Sequence, residues 1–226
     1  MRIRMSTATA IGLLALSVQS WAAQNATDLE NWDTETLTGT WRATVMTDTP
    51  VYGESGEQIG EVENLIIGPD NKVRSIIVES GGFFDIGDTH IAVPWDRVDL
   101  APDQEGIRVP VNQENVPDFD LFSGEDVEEG PRAWRATELL GDNVTFTDGS
   151  GYGIVYDLLF SEDGTLQAVV VNPSIGYSVG GHFAYPWRGY GEGFDPGDPN
   201  YDVGLARDDV MGLEPVDLDQ IQSDVL

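Results

Sequence analysis

The chain has 226 residues, 40 acidic and 11 basic, for a formal net charge of −29, and lysine occurs once, at Lys72. A field of that sign repels nucleic acid and anionic lipid, which sets both aside as partners. Cysteine is absent, which excludes a disulfide framework, a thiol nucleophile and cysteine metal sites, while 40% hydrophobic residues are enough for a core. Three causes fit the acidity: steering of cations or a basic partner, bound Ca²⁺, or adaptation to high salt. The even spread of carboxylates along the chain favours salt adaptation, because hydrated carboxylates keep a protein soluble where screening removes their repulsion.

Residues 1–22 read as a secretory signal. Arg2 and Arg4 are followed by an uncharged apolar run from Ala8 to Val18, and Ser20-Trp21-Ala22 offers small residues for cleavage after Ala22. The run is about half the ~20 residues a spanning helix needs. The expected location is periplasmic or secreted, with no membrane span after cleavage. Residues 23–39 form an N-terminal extension.

A repeat dominates the rest. Trp41-Arg42-Ala43-Thr44 returns as Trp134-Arg135-Ala136-Thr137, 93 residues later, and at that offset Val51, Gly56, Gly60, Val62, Leu65, Asp70 and Val78 meet identical residues. His90, Ala92, Pro94 and Trp95 meet their counterparts at offset 92, and Val109 and Val116 at offset 94. An ordered series with two compensating one-residue gaps marks a duplication. The first copy occupies residues 40–116 and the second 134–213.

Each copy predicts β structure. Gln58 to Ile67 and Val73 to Glu79 form a hairpin about Gly68-Pro69-Asp70-Asn71. Gly153 to Phe160 and Leu166 to Asn172 repeat it about Ser161-Glu162-Asp163-Gly164. Short strands follow at His90–Val93 and Ile107–Val109, and at His182–Tyr185 and Asp202–Gly204. Short helical turns are expected near Trp41–Met46, Asn112–Val116 and Ala206–Val210. The fold class is all-β: two tandem small barrels, in which Trp41, Trp95, Trp134 and Trp187 seal each copy. Residues 117–133 read as an acidic, self-repelling linker, and 214–226 as a frayed C-terminal tail.

The succession Val51-Tyr52, Gly56 to Gly60, a hairpin, Gly81-Gly82-Phe83-Phe84-Asp85-Ile86-Gly87 and then Ile91-Ala92-Val93-Pro94-Trp95 resembles the PRC-barrel family over about Thr40 to Val116. The second copy keeps the hairpin and Tyr185-Pro186-Trp187 but replaces the Gly-Gly-Phe loop with residues 174–181. The resemblance implies a compact β-barrel acting as an adaptor that contacts other proteins, with no shared catalytic residues to carry over. The fold by itself does not set a function.

The residues add little chemistry. His90 and His182 sit at the same place in the two copies, so no histidine pair forms within one barrel, and each precedes an alternating strand that turns it away from the core. Each reads as an exposed strand residue or as a ligand or pH-sensing contact. No serine lies in a nucleophile elbow and no glycine-rich loop opens a helix. Asp195, Asp198 and Asp202 place hard oxygens on a polar loop that suits Ca²⁺, although the spacing is not that of an EF-hand. The aromatic segment 183–194, with Tyr185, Trp187, Tyr190 and Phe194, reads as a loop folded over the barrel mouth or as a recognition surface.

The leading expectation is an exported, non-enzymatic interaction or adaptor module in the periplasm or envelope of a salt-adapted bacterium, with an unidentified protein partner. Its surfaces would be Phe83 and Phe84 in the first copy and Tyr185, Trp187, Tyr190 and Phe194 in the second. The alternative is a Ca²⁺- or small-ligand-binding protein that uses Asp195, Asp198 and Asp202.

Overall fold

The duplicated strand sequence builds two six-stranded sheets of the same design. The computed structural model describes residues 29, 32–81, 88–100, 106–119, 132–176 and 180–222. The signal segment, Phe83 and Phe84, and most of the acidic linker lie outside the described residues. In the first copy, β2 (Pro50–Tyr52), β3 (Gln58–Ile67), β4 (Val73–Gly81), β5 (Asp88–Pro94) and β6 (Ile107–Arg108) run in the order β5-β4-β3-β2-β6. In the second, β8 (Asn143–Thr145), β9 (Gly151–Phe160), β10 (Leu166–Pro173), β11 (Phe183–Pro186) and β12 (Asn200–Asp202) run in the order β11-β10-β9-β8-β12. Neighbours are antiparallel except β2 with β6 and β8 with β12, which are parallel. Both hairpins form where their turn chemistry placed them. Gly60 and Gly153 recur because an added Cβ would stand 2.1 Å from the Glu79 carbonyl oxygen and 2.3 Å from that of Asn172.

The sixth strand of each sheet comes from the other copy. β1 (Trp41–Arg42) pairs with β9, Trp41 opposite Phe160 and Arg42 opposite Leu159. β7 (Trp134–Arg135) pairs with β3, Trp134 opposite Ile67 and Arg135 opposite Ile66. The repeated Trp-Arg motif therefore does not seal its own copy: it is exchanged, and each tryptophan is buried on the sheet of its neighbour. Burial of each side chain removes enough apolar surface to contribute on the order of 3 kcal/mol.

The hairpin tips lock the same junction. Val73 N donates to the Gly164 carbonyl and Leu166 N to that of Asn71, both at 2.9 Å. Trp95 Nε1 donates to the Glu162 carbonyl at 3.1 Å, and its counterpart Trp187 donates to Asn71 Oδ1 at 2.9 Å. The two copies share one continuous hydrophobic core, which runs from Val51, Leu65 and Ile76 to Val144, Leu158 and Val169.

The ends of the chain cover part of the outer face of the second sheet. Leu37, Leu218 and Ile221 pack on Leu159, Ala168, Val170 and Ala184 as a second apolar cluster. Trp32 Nε1 donates to the Ala184 carbonyl at 2.9 Å and Val216 N to that of His182 at 2.7 Å. The tail is thus docked through Ile221 rather than frayed, because Leu218 and Ile221 present an apolar face from the helix Leu218–Gln222. No helix among the described residues is long and apolar enough to cross a membrane.

Candidate functional site

β3 and β9 each carry one extra residue against their hairpin partner, Glu63 in the first copy and Tyr156 in the second, at the same register break. Such a bulge re-aims the side chains beside it. The residue after the bulge turns in toward the exchanged segment. In the second copy that residue is Asp157, fully buried, which accepts from Arg42 Nε at 2.8 Å, from Thr44 N at 3.0 Å and from the Thr44 hydroxyl. In the first copy it is Asn64, whose Nδ2 donates to Thr137 Oγ1 at 2.7 Å and whose Oδ1 accepts from Thr137 N at 3.4 Å. One device fastens both exchanged segments, with a charge pair on one side and an amide on the other. These polar groups have structural work to do.

The bulge residue itself faces out, toward the histidine of its copy. His90 Nε2 lies 3.2 Å from Glu63 Oε2. His182 instead lies against Tyr156, with ring centroids 3.9 Å apart and the planes tilted by 38°. Burial pushes the His182 imidazole below its ordinary range, and the nearby Arg42 guanidinium adds to this against the opposing Asp157 carboxylate. Beside the ring pair runs a groove of about 490 Å³, lined by Arg42, Tyr156, His182, Pro215, Asp217 and Leu218. A second groove of about 520 Å³ lies where the copies meet, between Trp95, Val98 and Leu100 on one side and Glu162 and Asp163 on the other.

The aromatic segment splits. Tyr185 and Phe194 are buried, 1% and 2% exposed, so they are not surface residues. Tyr185 shares a hydrogen bond with the Tyr152 hydroxyl. Phe194 packs on Trp134, at a centroid distance of 4.4 Å, and on Trp187. This segment folds over the core and receives the exchanged Trp134, because an aromatic cluster buries more surface inward than outward. Trp187 and Tyr190 remain partly exposed.

The three aspartates do not converge. Asp195 lies in the field of Arg132, Asp198 Oδ1 accepts from Asn200 N and Nδ2, and Asp202 Oδ1 accepts from Gly204 N. Asp198 faces Asp142, whose carboxyl partial burial, and then the Asp198 charge, raise above the usual range. Among the described residues no group of three or more acidic or histidine side chains is arranged to hold a metal ion.

Sequence reasoning missed Tyr156 and Asp157. The signal was present in the repeat, where Glu63 and Asn64 stand at the matching positions.

The fold defines a class: an all-β protein of two interlocked halves, each with the same strand order around a shared core. Residues 42–114 match the PRC-barrel domain family, whose members are generally non-catalytic and often mediate protein interactions. The curated proteins searched contain no match to the chain.

Proposed function

We propose that this protein is an exported, non-catalytic interaction module that serves as an adaptor in the periplasm or envelope of a salt-adapted bacterium. The observation that carries this reading is where the two copies agree and where they differ. Their apolar core positions stay apolar: Val51 and Val144, Leu65 and Leu158, and Val78 and Val171 are identical, while Ile59 gives way to Tyr152 and Ile91 to Phe183, all buried. They diverge outside, where Glu63 is replaced by Tyr156 on the same bulge. A duplication that keeps its core apolar while an exposed bulge changes from charged to aromatic puts its specific content on the surface, which is where an adaptor uses it. The signal-like residues 1–22 and the net charge of −29 support export and high-salt solubility.

The test is twofold. Cell fractionation by osmotic shock should find the chain cleaved after Ala22 and outside the cytoplasm, and crosslinking of the tagged chain in intact cells should return one recurrent protein partner. A full-length chain retained in the cytoplasm would sink the export reading. Absence of any recurrent partner would sink the adaptor reading.

A further inference from the structure

The duplicate supplies an internal control for every exposed position. On the outer face of the first sheet, Glu61 sits directly opposite Glu79, and Glu63 beside them pairs with His90. At the matching places in the second sheet, Ile154 sits directly opposite Asn172, and Tyr156 packs against His182. Three carboxylates of the first copy thus become isoleucine, tyrosine and asparagine in the second. The first copy shows that this backbone tolerates glutamate at all three positions, so the fold does not require the apolar residues.

Ile154 is 42% exposed and Tyr156 37%, two positions apart on the same strand. Exposed apolar side chains gathered in so acidic a chain mark a contact site more than chance does. The patch continues the face that the chain's own ends cover. Leu37, Leu218 and Ile221 occupy one part of it, and the groove beside Tyr156 and His182 opens at the edge of that cover. The rim carries the exposed carboxylates Asp217 and Asp219, while the Arg42 guanidinium is bound to buried Asp157. The floor is therefore apolar and the surround negative.

Resting on the interaction-module reading above, we propose that the Ile154–Tyr156–His182 face of the second copy is its docking surface, and that it takes an extended partner segment in which apolar side chains alternate with lysine or arginine. The apolar residues meet Ile154 and Tyr156, and the cations face Asp217, Asp219 and the overall field. Charge complementarity argues against a second copy of this chain as the occupant, since a self-paired face would set exposed Asp217 and Asp219 against the same carboxylates. Burial lowers the His182 imidazole below its ordinary range, which disfavours a positive charge beside an incoming cation.

The experiment uses the whole mature chain at a fixed NaCl concentration of about 0.15 M, where the field is only partly screened, with three labelled peptides of equal length read by fluorescence anisotropy: alternating leucine and lysine, alternating serine and lysine, and alternating leucine and glutamate. The test variant is Ile154→Glu with Tyr156→Glu, which installs the residues of the first copy. The leucine–lysine peptide should bind, the other two at least tenfold more weakly, and the double variant should weaken leucine–lysine binding at least tenfold. The variant adds two negative charges, so loss of binding to a basic peptide cannot be electrostatic. An unchanged melting temperature shows that the fold is intact. Equal binding of the serine–lysine peptide, or undiminished binding by the variant, overturns the proposal. So does a wild-type dimer in sedimentation that the variant abolishes, because the occupant is then a second copy. In-cell crosslinking separates the two levels: a partner captured equally by wild type and variant refutes this surface alone, whereas no partner for either refutes the interaction reading itself.

Discussion

Asp157→Ala is the most informative single perturbation, because it tests the strand exchange and the interior at once. Asp157 is fully buried and its partner Arg42 is 11% exposed. Removal of either member leaves the other without its counterion in a low-dielectric site, which costs about 3–5 kcal/mol. Two-state unfolding of a chain this size shifts by roughly 2–4 °C per kcal/mol, so the melting temperature should fall by about 6–20 °C. The assay is thermal and urea unfolding at fixed NaCl, for Asp157→Ala, Arg42→Ala and the double variant. Since each single change already exposes the other charge, the double variant should cost at least about 1 kcal/mol less than the sum of the two. The control cycle pairs Asp157 with Arg135, which occupies the position of Arg42 in the second copy. Without exchange, Asp157 would face Arg135. With it, Arg135 lies opposite Ile66 on the other sheet, and its effect should add to that of Asp157→Ala within about 0.5 kcal/mol. A loss below about 1 kcal/mol for Asp157→Ala, or coupling to Arg135 in place of Arg42, would refute the reasoning. Asp157→Asn should cost less than Asp157→Ala, because an amide oxygen can still accept from Arg42 Nε or Thr44 N, as Asn64 accepts from Thr137 N in the first copy, although the Arg42 counterion is lost.

Other outcomes follow from the same geometry. Gly164 holds φ +81° and an added Cβ would lie 2.9 Å from Trp95 Nε1, so Gly164→Ala should cost about 1–3 kcal/mol in urea unfolding, through strain and displacement of the tryptophan. The Tyr152, Tyr185 and Tyr201 hydroxyls are buried, and burial raises each above the ordinary phenol range. The stability they confer is complete below about pH 10 and is lost as the pH climbs from there toward their raised folded values, because only the unfolded chain ionises them freely. Spectrophotometric titration near 295 nm should show these three tyrosines ionising together with unfolding, and smooth ionisation of all seven tyrosines with the fold intact would contradict it. Replacement of Asp195, Asp198 and Asp202 together by asparagine should leave the response of the melting temperature to millimolar Ca²⁺ unchanged, since the three face different neighbours, and a Ca²⁺-dependent rise lost in the variant would show that they converge on the ion.

What the sequence determined by itself was the repetitive and the local. The 93-residue offset showed two copies, and the turn residues Gly68-Pro69-Asp70-Asn71 and Ser161-Glu162-Asp163-Gly164 placed both hairpins, because such turns depend on short-range backbone preferences. The sequence also set the acidity and the residue-for-residue divergence on the outer face. Only the tertiary structure decided that the Trp-Arg motifs cross over. Because both sheets descend from one sequence, each offers a near-identical docking edge, so no local preference distinguishes a motif's own copy from its neighbour. Tertiary packing likewise turned Phe194 inward, because the exchanged Trp134 packs on it, whereas the inward turn of Tyr185 follows from the strand alternation that places it where the first copy has buried Val93. The bulges at Glu63 and Tyr156 complete the division, since a bulge is a property of two paired strands and sends Asp157 to a partner 115 residues away.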